Sequence, residues 1–250
     1  MITTFEQSPQ RYARWAGVLY LIIIALGLFG EVLVRGTLVV SGDATATFAN
    51  ISREPLLWRA GIAGDLLMHV LDIPTIWILY LLLKPVSHRL ALLATLFNLI
   101  QTAVLVVNKL TLLFPLFLLE DLSYLNVFSA PQLHALSQLA IKAHGYGFAI
   151  GLIFFGFACL VRGYLIFESD YFPKVLGVLL LAAGLCYGAN SFALLLAPSV
   201  AALIFPAVLL PAFLGEPALA VWLVVKGVEE KNWSQKISSQ RASDHALLRT

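Results

Sequence analysis

Three ionisable residues, Asp65, His69 and Asp72, follow one another at steps of four and three inside a long apolar stretch of the chain. At about 100° per residue in a helix they fall within an arc of about 60°, with Asp65 about 10 Å along the axis from Asp72. Carboxylate, imidazole and carboxylate on one face can hold a proton, an ion pair or the polar end of a ligand. Other polar side chains recur in similar surroundings: Glu31, then Asn98, Gln101, Thr102, Asn108 and Lys109, then Lys142 and His144, Tyr187 and Asn190, and Glu216 beside Pro217. Four acids (Glu31, Asp65, Asp72, Glu216) thus meet two lysines and two histidines. Near balance suits a low-dielectric interior, where an unpaired ion either finds a partner or neutralises.

The motifs that would name a reaction are missing. Asp65 and His69 at i, i+4 are a usable ligand pair to which His144 would add a third donor, but no repeated histidine motif accompanies them and no metal is assigned. There is no Gly-x-Ser-x-Gly, and neither Cys159 nor Cys186 has a histidine near it in its own segment; both read as small packing residues. Gly145, Gly147 and Gly151 open no βαβ unit, and nothing specifies a cofactor.

The elements that must position these residues are long and apolar. Hydrophobic residues make up 60% of the 250 and charged ones 12%, against about 25% charged in an ordinary soluble domain. Apolar runs cover 15–34, 56–83, 90–119, 133–165, 175–196 and 201–225, most of them at or above the ~20 residues that cross a bilayer. The alternation of a barrel strand is absent and lipid forbids open edges, so the spans are helices. The fold class is therefore all-α, a polytopic bundle of six transmembrane helices. Residues 1–14 form an N-terminal segment, 15–226 the membrane domain, and 227–250 a polar tail expected to be solvated or disordered. The first run is too long for a signal-peptide core and no cleavage pattern follows it, so it reads as a retained helix.

Lys/Arg bias sets the orientation. Arg11, Arg14, Lys84, Arg89, Arg162, Lys174, Lys226, Lys231, Lys236, Arg241 and Arg249 fall on one side, eleven against Arg35, Arg53 and Arg59 on the other, with Lys109 and Lys142 embedded. Both termini are then cytoplasmic in a multi-pass plasma-membrane protein. Its partners are membrane lipids, and a net charge of +2 gives no reason to expect nucleic acid.

Local signals refine the elements. Asp43 is placed to cap a short surface helix over 44–51, and Ser129-Ala130-Pro131-Gln132 is a capping box that starts the fourth helix early. The third run would extend about 45 Å, so it must tilt or protrude, loosening at Pro115. Gly147/Gly151 and Gly184/Gly188 are small-xxx-small pairs that allow close helix approach, and Gly61 and Gly64 do likewise beside Asp65. Pro206, Pro211 and Pro217 should kink the sixth helix, and broken helices line binding sites in transporters.

A family resemblance rests on several of these stretches. They are Ala13-Arg14-Trp15-Ala16-Gly17-Val18-Leu19-Tyr20, Gly61-Ile62-Ala63-Gly64-Asp65, and Leu79-Tyr80-Leu81-Leu82-Leu83-Lys84-Pro85-Val86. His144-Gly145-Tyr146-Gly147 running on to Phe154-Phe155-Gly156, Gly163-Tyr164-Leu165, and Phe213-Leu214-Gly215-Glu216 with Trp222-Leu223 complete the set. Together they resemble a bacterial membrane family catalogued as a domain of unknown function (number 4386), over roughly residues 11–227. The resemblance implies a six-helix membrane protein, supplies no catalytic residue, and sets Asn190 where relatives would carry an acid.

The residues themselves lead to one main expectation. It is an integral membrane protein with a continuous polar pocket in the outer half of the bundle, binding or transporting a small molecule or proton. Glu31, Asp65, His69, Asp72, Asn98, Gln101, Lys109, Lys142, His144, Tyr187 and Asn190 would line it, with Glu216 at its floor. Lys109 is expected to pair with Glu31 or Asp65. Two other readings stay open. One is an accessory subunit of a membrane complex, whose polar network only holds helix register. The other is an intramembrane enzyme acting on a lipid-like substrate near His69 and His144. Six helices are few for a metabolite carrier, so transport would call for a homodimer or larger complex.

Overall fold

A computed structural model describes residues 8–120 and 123–247; expectations that fall on 1–7, Asp121, Leu122 and 248–250 lie outside the described residues. Six helices among the described residues are long and apolar enough to cross a membrane: α1 Pro9–Leu38, α3 Pro55–Leu83, α4 His88–Phe117, α5 Ala130–Phe167, α6 Lys174–Leu196 and α8 Ala207–Val225. Three further α-helices lie among the described residues, α2 Ala44–Arg53, α7 Pro198–Ile204 and α9 Glu230–Leu247, with a 3-10 turn over Ser123–Val127. No strand occurs among the described residues. The all-α, multi-pass expectation therefore holds.

The six spans close into a ring, in which α1 packs on α3, α3 on α4, α4 on α5, α5 on α6 and α6 on α8, and α8 returns to α1. Burial follows the helical period. On α3, Asp65 and His69 turn inward while Leu67, Val70, Ile73 and Trp77 are exposed on the opposite face, where lipid would lie. A large apolar cluster including Leu79, Leu82, Leu165, Leu180 and Leu223 fills the end of the ring where Gln10 donates to the Lys226 carbonyl. We call this the terminal end. A smaller cluster of Val34, Ile51, Trp58, Ile62 and Leu112 closes the far end beneath α2. The Asp43 side chain caps α2 by accepting from Ala46 N–H at 2.8 Å, and Gln132 accepts from Ser129 N–H at 2.8 Å at the start of α5. Both caps are the ones the sequence marks.

The close crossing of α5 and α6 is made by glycines. A Cβ on Gly156 would lie 2.9 Å from the Gly184 carbonyl oxygen, and one on Gly163 2.8 Å from that of Gly177. Gly151 and Gly147 pack against Leu105 and Asn108 of α4, as small-residue pairs should. Gly184 and Gly188 both approach α5 at Gly156, whose Cβ would also lie 3.2 Å from the Gly188 nitrogen.

Elsewhere the backbone departs from the expected elements. In α4 the helix loosens at Lys109 rather than at Pro115, with i→i−3 bonds from Lys109 N–H to Val106 and from Leu112 N–H to Lys109. A proline disturbs the turn that precedes it, because its ring crowds the carbonyl four residues back, and Lys109 borders that turn. The sixth run is interrupted rather than kinked: α7 ends at Ile204, and Phe205, just before Pro206, takes an extended conformation. Pro211 and Pro217 are accommodated within the following helix.

The tail differs most from expectation. Residues from Glu230 form helix α9, and Trp233 is 1% exposed against the terminal cluster. Its indole N–H reaches the Leu82 carbonyl at 3.4 Å, which also accepts from the Tyr171 hydroxyl at 2.6 Å. Burial raises the Tyr171 phenol well above its ordinary range, so it stays a donor. Two side chains thus satisfy a carbonyl at the open end of α3, which the composition of the tail did not disclose. Replacing Trp233 by Ala should destabilise the protein by about 3–5 kcal/mol and Tyr171 by Phe by about 1 kcal/mol. Denaturant unfolding in detergent micelles measures both; an unchanged W233A midpoint would mean that α9 is not docked.

Candidate functional site

The expected pocket residues gather into separate hydrogen-bonded groups in the ring, and long side chains missing from the expected set hold two of them together. At the far half, Asp65 sits 1% exposed with two cations. Its Oδ2 lies 2.7 Å from Arg35 Nη1 and 2.9 Å from Lys109 Nζ, and Arg35 Nη2 reaches Oδ1 at 3.4 Å. Arg35 also binds Glu31 at 2.7 Å, whose carboxylate is largely exposed. Of the two partners anticipated for Lys109, Asp65 is the one it takes. The backbone makes room for this. Residues Phe29–Arg35 form a π-helical turn, and a Cβ on Gly30 would lie 2.3 Å from Asp65 Oδ1. Such turns re-aim side chains, here Arg35 toward α3.

Beside this group, Asn108 donates its amide to the His144 carbonyl at 2.9 Å and lies 3.0 Å from His144 Nδ1. His144 is thereby turned onto α4, away from His69. Among the described residues no three His, Cys, Asp or Glu side chains converge as metal ligands. Lys142 is exposed, two residues and about 200° round α5 from His144, so it does not enter the interior. Asn190 is half-buried and makes no side-chain hydrogen bond among the described residues.

A second chain of contacts lies at mid-depth. His69 Nδ1 is 3.1 Å from Asp72 Oδ2, and Thr102 donates weakly to the same oxygen at 3.4 Å. Thr102 and Asn98 both donate to Gln101 Oε1, at 3.4 and 2.7 Å, and Asn98 Oδ1 in turn accepts from Arg162 Nη2. His69 is 2% exposed, and its Nε2 is buried without a partner among the described residues. With Nδ1–H assigned to Asp72, that nitrogen presents a lone pair to the interior.

The third group is Glu216, which accepts from Tyr20 at 2.8 Å and from Tyr187. Arg162 attracts Glu216 through space and Asp72 opposes it. Arg162 and Asp72 are thus the charged neighbours of Glu216. The Asp65 group, by contrast, balances internally, with Arg35 and Lys109 against Asp65 and Glu31.

No hydrogen bond among the described residues joins the Asp65 group to the His69 chain. Two hollows lie at the terminal end. One, of about 470 Å³, includes Arg11, Arg14 and Glu230; the other, of about 440 Å³, includes Tyr171 and Lys226. Arg35, Arg162 and Tyr20 are the site residues that the sequence reading passed over. Arg35 stands four residues from Glu31, and Arg162 inside the apolar run 133–165, which were the available signals.

With this geometry in place, comparison with known proteins is informative. A model of the family described as a domain of unknown function, DUF4386, matches residues 15–227. The chain belongs to the DUF4386 family. The match takes in every group just described, from Tyr20 to Glu216, and bears out the motif resemblance. An uncharacterized protein of Archaeoglobus fulgidus is 28% identical over 166 residues, covering 66% of this chain and 83% of the relative. No solved structure matches significantly.

For this DUF4386 protein the Asp65 group makes a direct prediction. Lys109→Met should cost about 3 kcal/mol, the low end of the 3–5 for breaking a buried pair, because Arg35 still holds Asp65. Adding Asp65→Asn should recover part of the loss, since the uncompensated charge is gone. Unfolding of the single and double variants in detergent across neutral pH checks this; strictly additive losses would refute the pairing.

Proposed function

We propose that this membrane protein binds a proton at mid-depth and passes it across the bilayer, with His69, Asp72 and Glu216 as the exchanging groups around Arg162. The observation that carries the reading is the buried, unpartnered His69 Nε2 on a ring whose other nitrogen faces Asp72. A buried polar atom without a partner is costly unless something binds it. Charge supports the same conclusion. Asp72 and Glu216 against Arg162 leave the middle of the ring one positive charge short, and a proton on any of the three groups restores neutrality. A proton also suits an interior whose polar groups pack against one another, where a metabolite would need a cavity.

The Lys/Arg bias supports cytoplasmic termini in the plasma membrane. With Arg162 and Arg35 turned inward, ten basic residues remain on the terminal side and Arg53 and Arg59 on the other. The second reading, an accessory subunit with a purely structural network, is favoured by the Asp65 group alone, whose charges are fully matched.

The test is proton uptake into vesicles reconstituted with the protein, driven by a potassium diffusion potential and followed with an internal pH dye. The full chain should take up protons faster than protein-free vesicles. His69→Gln, Asp72→Asn and Glu216→Gln should each fall towards the protein-free rate, and Lys142→Met should behave as the parent. Uptake by the parent no faster than by protein-free vesicles would overturn the proposal in favour of the structural reading.

A further inference from the structure

The hollow at the start of α1 has a wall chemistry that the proton reading does not use. Arg11, Arg14, Trp15 and Val18 recur there at helical spacing along one face of α1, and Glu230, the first residue of α9, stands opposite. Both arginines are exposed, and neither makes an ion pair among the described residues. The wall beneath them is fixed, because Gln10 donates to the Lys226 carbonyl at 2.5 Å and accepts from Val228 N–H at 2.9 Å. That double bond ties the start of α1 to the chain between α8 and α9.

We propose that this hollow binds the headgroup of an anionic phospholipid, phosphatidylglycerol, from the leaflet that faces the termini. The order of residues along α1 matches the order of groups in such a lipid. Arg11 and Arg14, near the helix start where the backbone dipole is positive, meet the phosphodiester. Trp15, 55% exposed, lies at the interfacial level where indoles settle. Val18 and Ile22 then continue as exposed apolar surface for the acyl chain. Charge selects the headgroup. Two guanidiniums and one carboxylate leave a single positive charge, which one phosphodiester neutralises, while Glu230 accepts from the glycerol hydroxyls. About 470 Å³ accommodates a headgroup of this size.

The experiment is native mass spectrometry of the purified full chain, released from detergent after mixing with equal amounts of phosphatidylglycerol, phosphatidylethanolamine and phosphatidylcholine. Phosphatidylglycerol should be retained in preference to the other two. The variant R11Q/R14Q should lose roughly tenfold or more of that preference, following the usual strength of an arginine at an anionic surface. E230Q should keep it. Equal retention of all three lipids, or an R11Q/R14Q variant that behaves as the parent, overturns the proposal. Retention of phosphatidylethanolamine above phosphatidylglycerol, abolished in E230Q, overturns it in favour of a zwitterionic headgroup. Displacement of the lipid by an equal concentration of inorganic phosphate overturns it in favour of a free anion site. None of these results depends on whether the protein conducts protons.

Discussion

The pairing of Asp65 with Arg35 and Lys109 is the constraint around which the far half of this bundle is built. It joins three spans, α1, α3 and α4, at a depth where a bare carboxylate would be intolerable. Each neighbouring irregularity serves it. The π turn over Phe29–Arg35 brings the guanidinium round to α3, Gly30 leaves space for the carboxylate, and the loosened turn at Lys109 lets the ammonium point inward. Hydrogen bonds lost from regular helix are offset by a fork from Arg35 and a charge-assisted bond from Lys109. A hydrophobic replacement of the whole group could be as stable. What the charges add is register, since sliding α1 or α4 by one turn would leave an ion unpaired.

The groups at mid-depth obey the same rule with a different balance. Apolar clusters flank the middle of the ring, and in such low-dielectric surroundings each interaction is strengthened and each unmatched charge expensive. Asp65 answers that cost with two fixed cations. Glu216 has one cation, Arg162, in its surroundings, together with a second acid, Asp72. A fixed cation locks a structure, whereas a proton can leave. On the proposed reading, this difference in how neutrality is reached separates the part of the network that holds helices together from the part that exchanges a proton.

Much of this was legible in the sequence because membrane physics leaves few choices. Length and apolarity marked the six spans, Asp43 and the Ser129–Gln132 box marked two helix starts, and charge balance pointed Lys109 at Glu31 or Asp65. Long side chains were harder to read. Arg162 and Arg35 lie near helix ends, where an arginine ordinarily extends to the interface, and the sequence does not say which way a flexible stem runs. Lys142 was the converse. It sits in an apolar run beside His144, yet the helical period turns it outward. The tail helix escaped notice because α9 is polar along most of its length, and its docking rests mainly on Trp233 and Ile237.

Six apolar spans mark the chain as a membrane protein, and membership of DUF4386 leaves its chemistry to be argued from these side chains. The Arg162 arrangement offers the strongest argument. An arginine whose helix ends five residues later has water within easy reach, and burying it 4% exposed forgoes that solvation. A bundle seeking only stability would let it extend to the interface and place an apolar residue at that level. Here the guanidinium turns inward to meet Asn98, with Glu216 in its field. The cost makes sense if the charge is wanted there, in reach of the carboxyl group of Glu216.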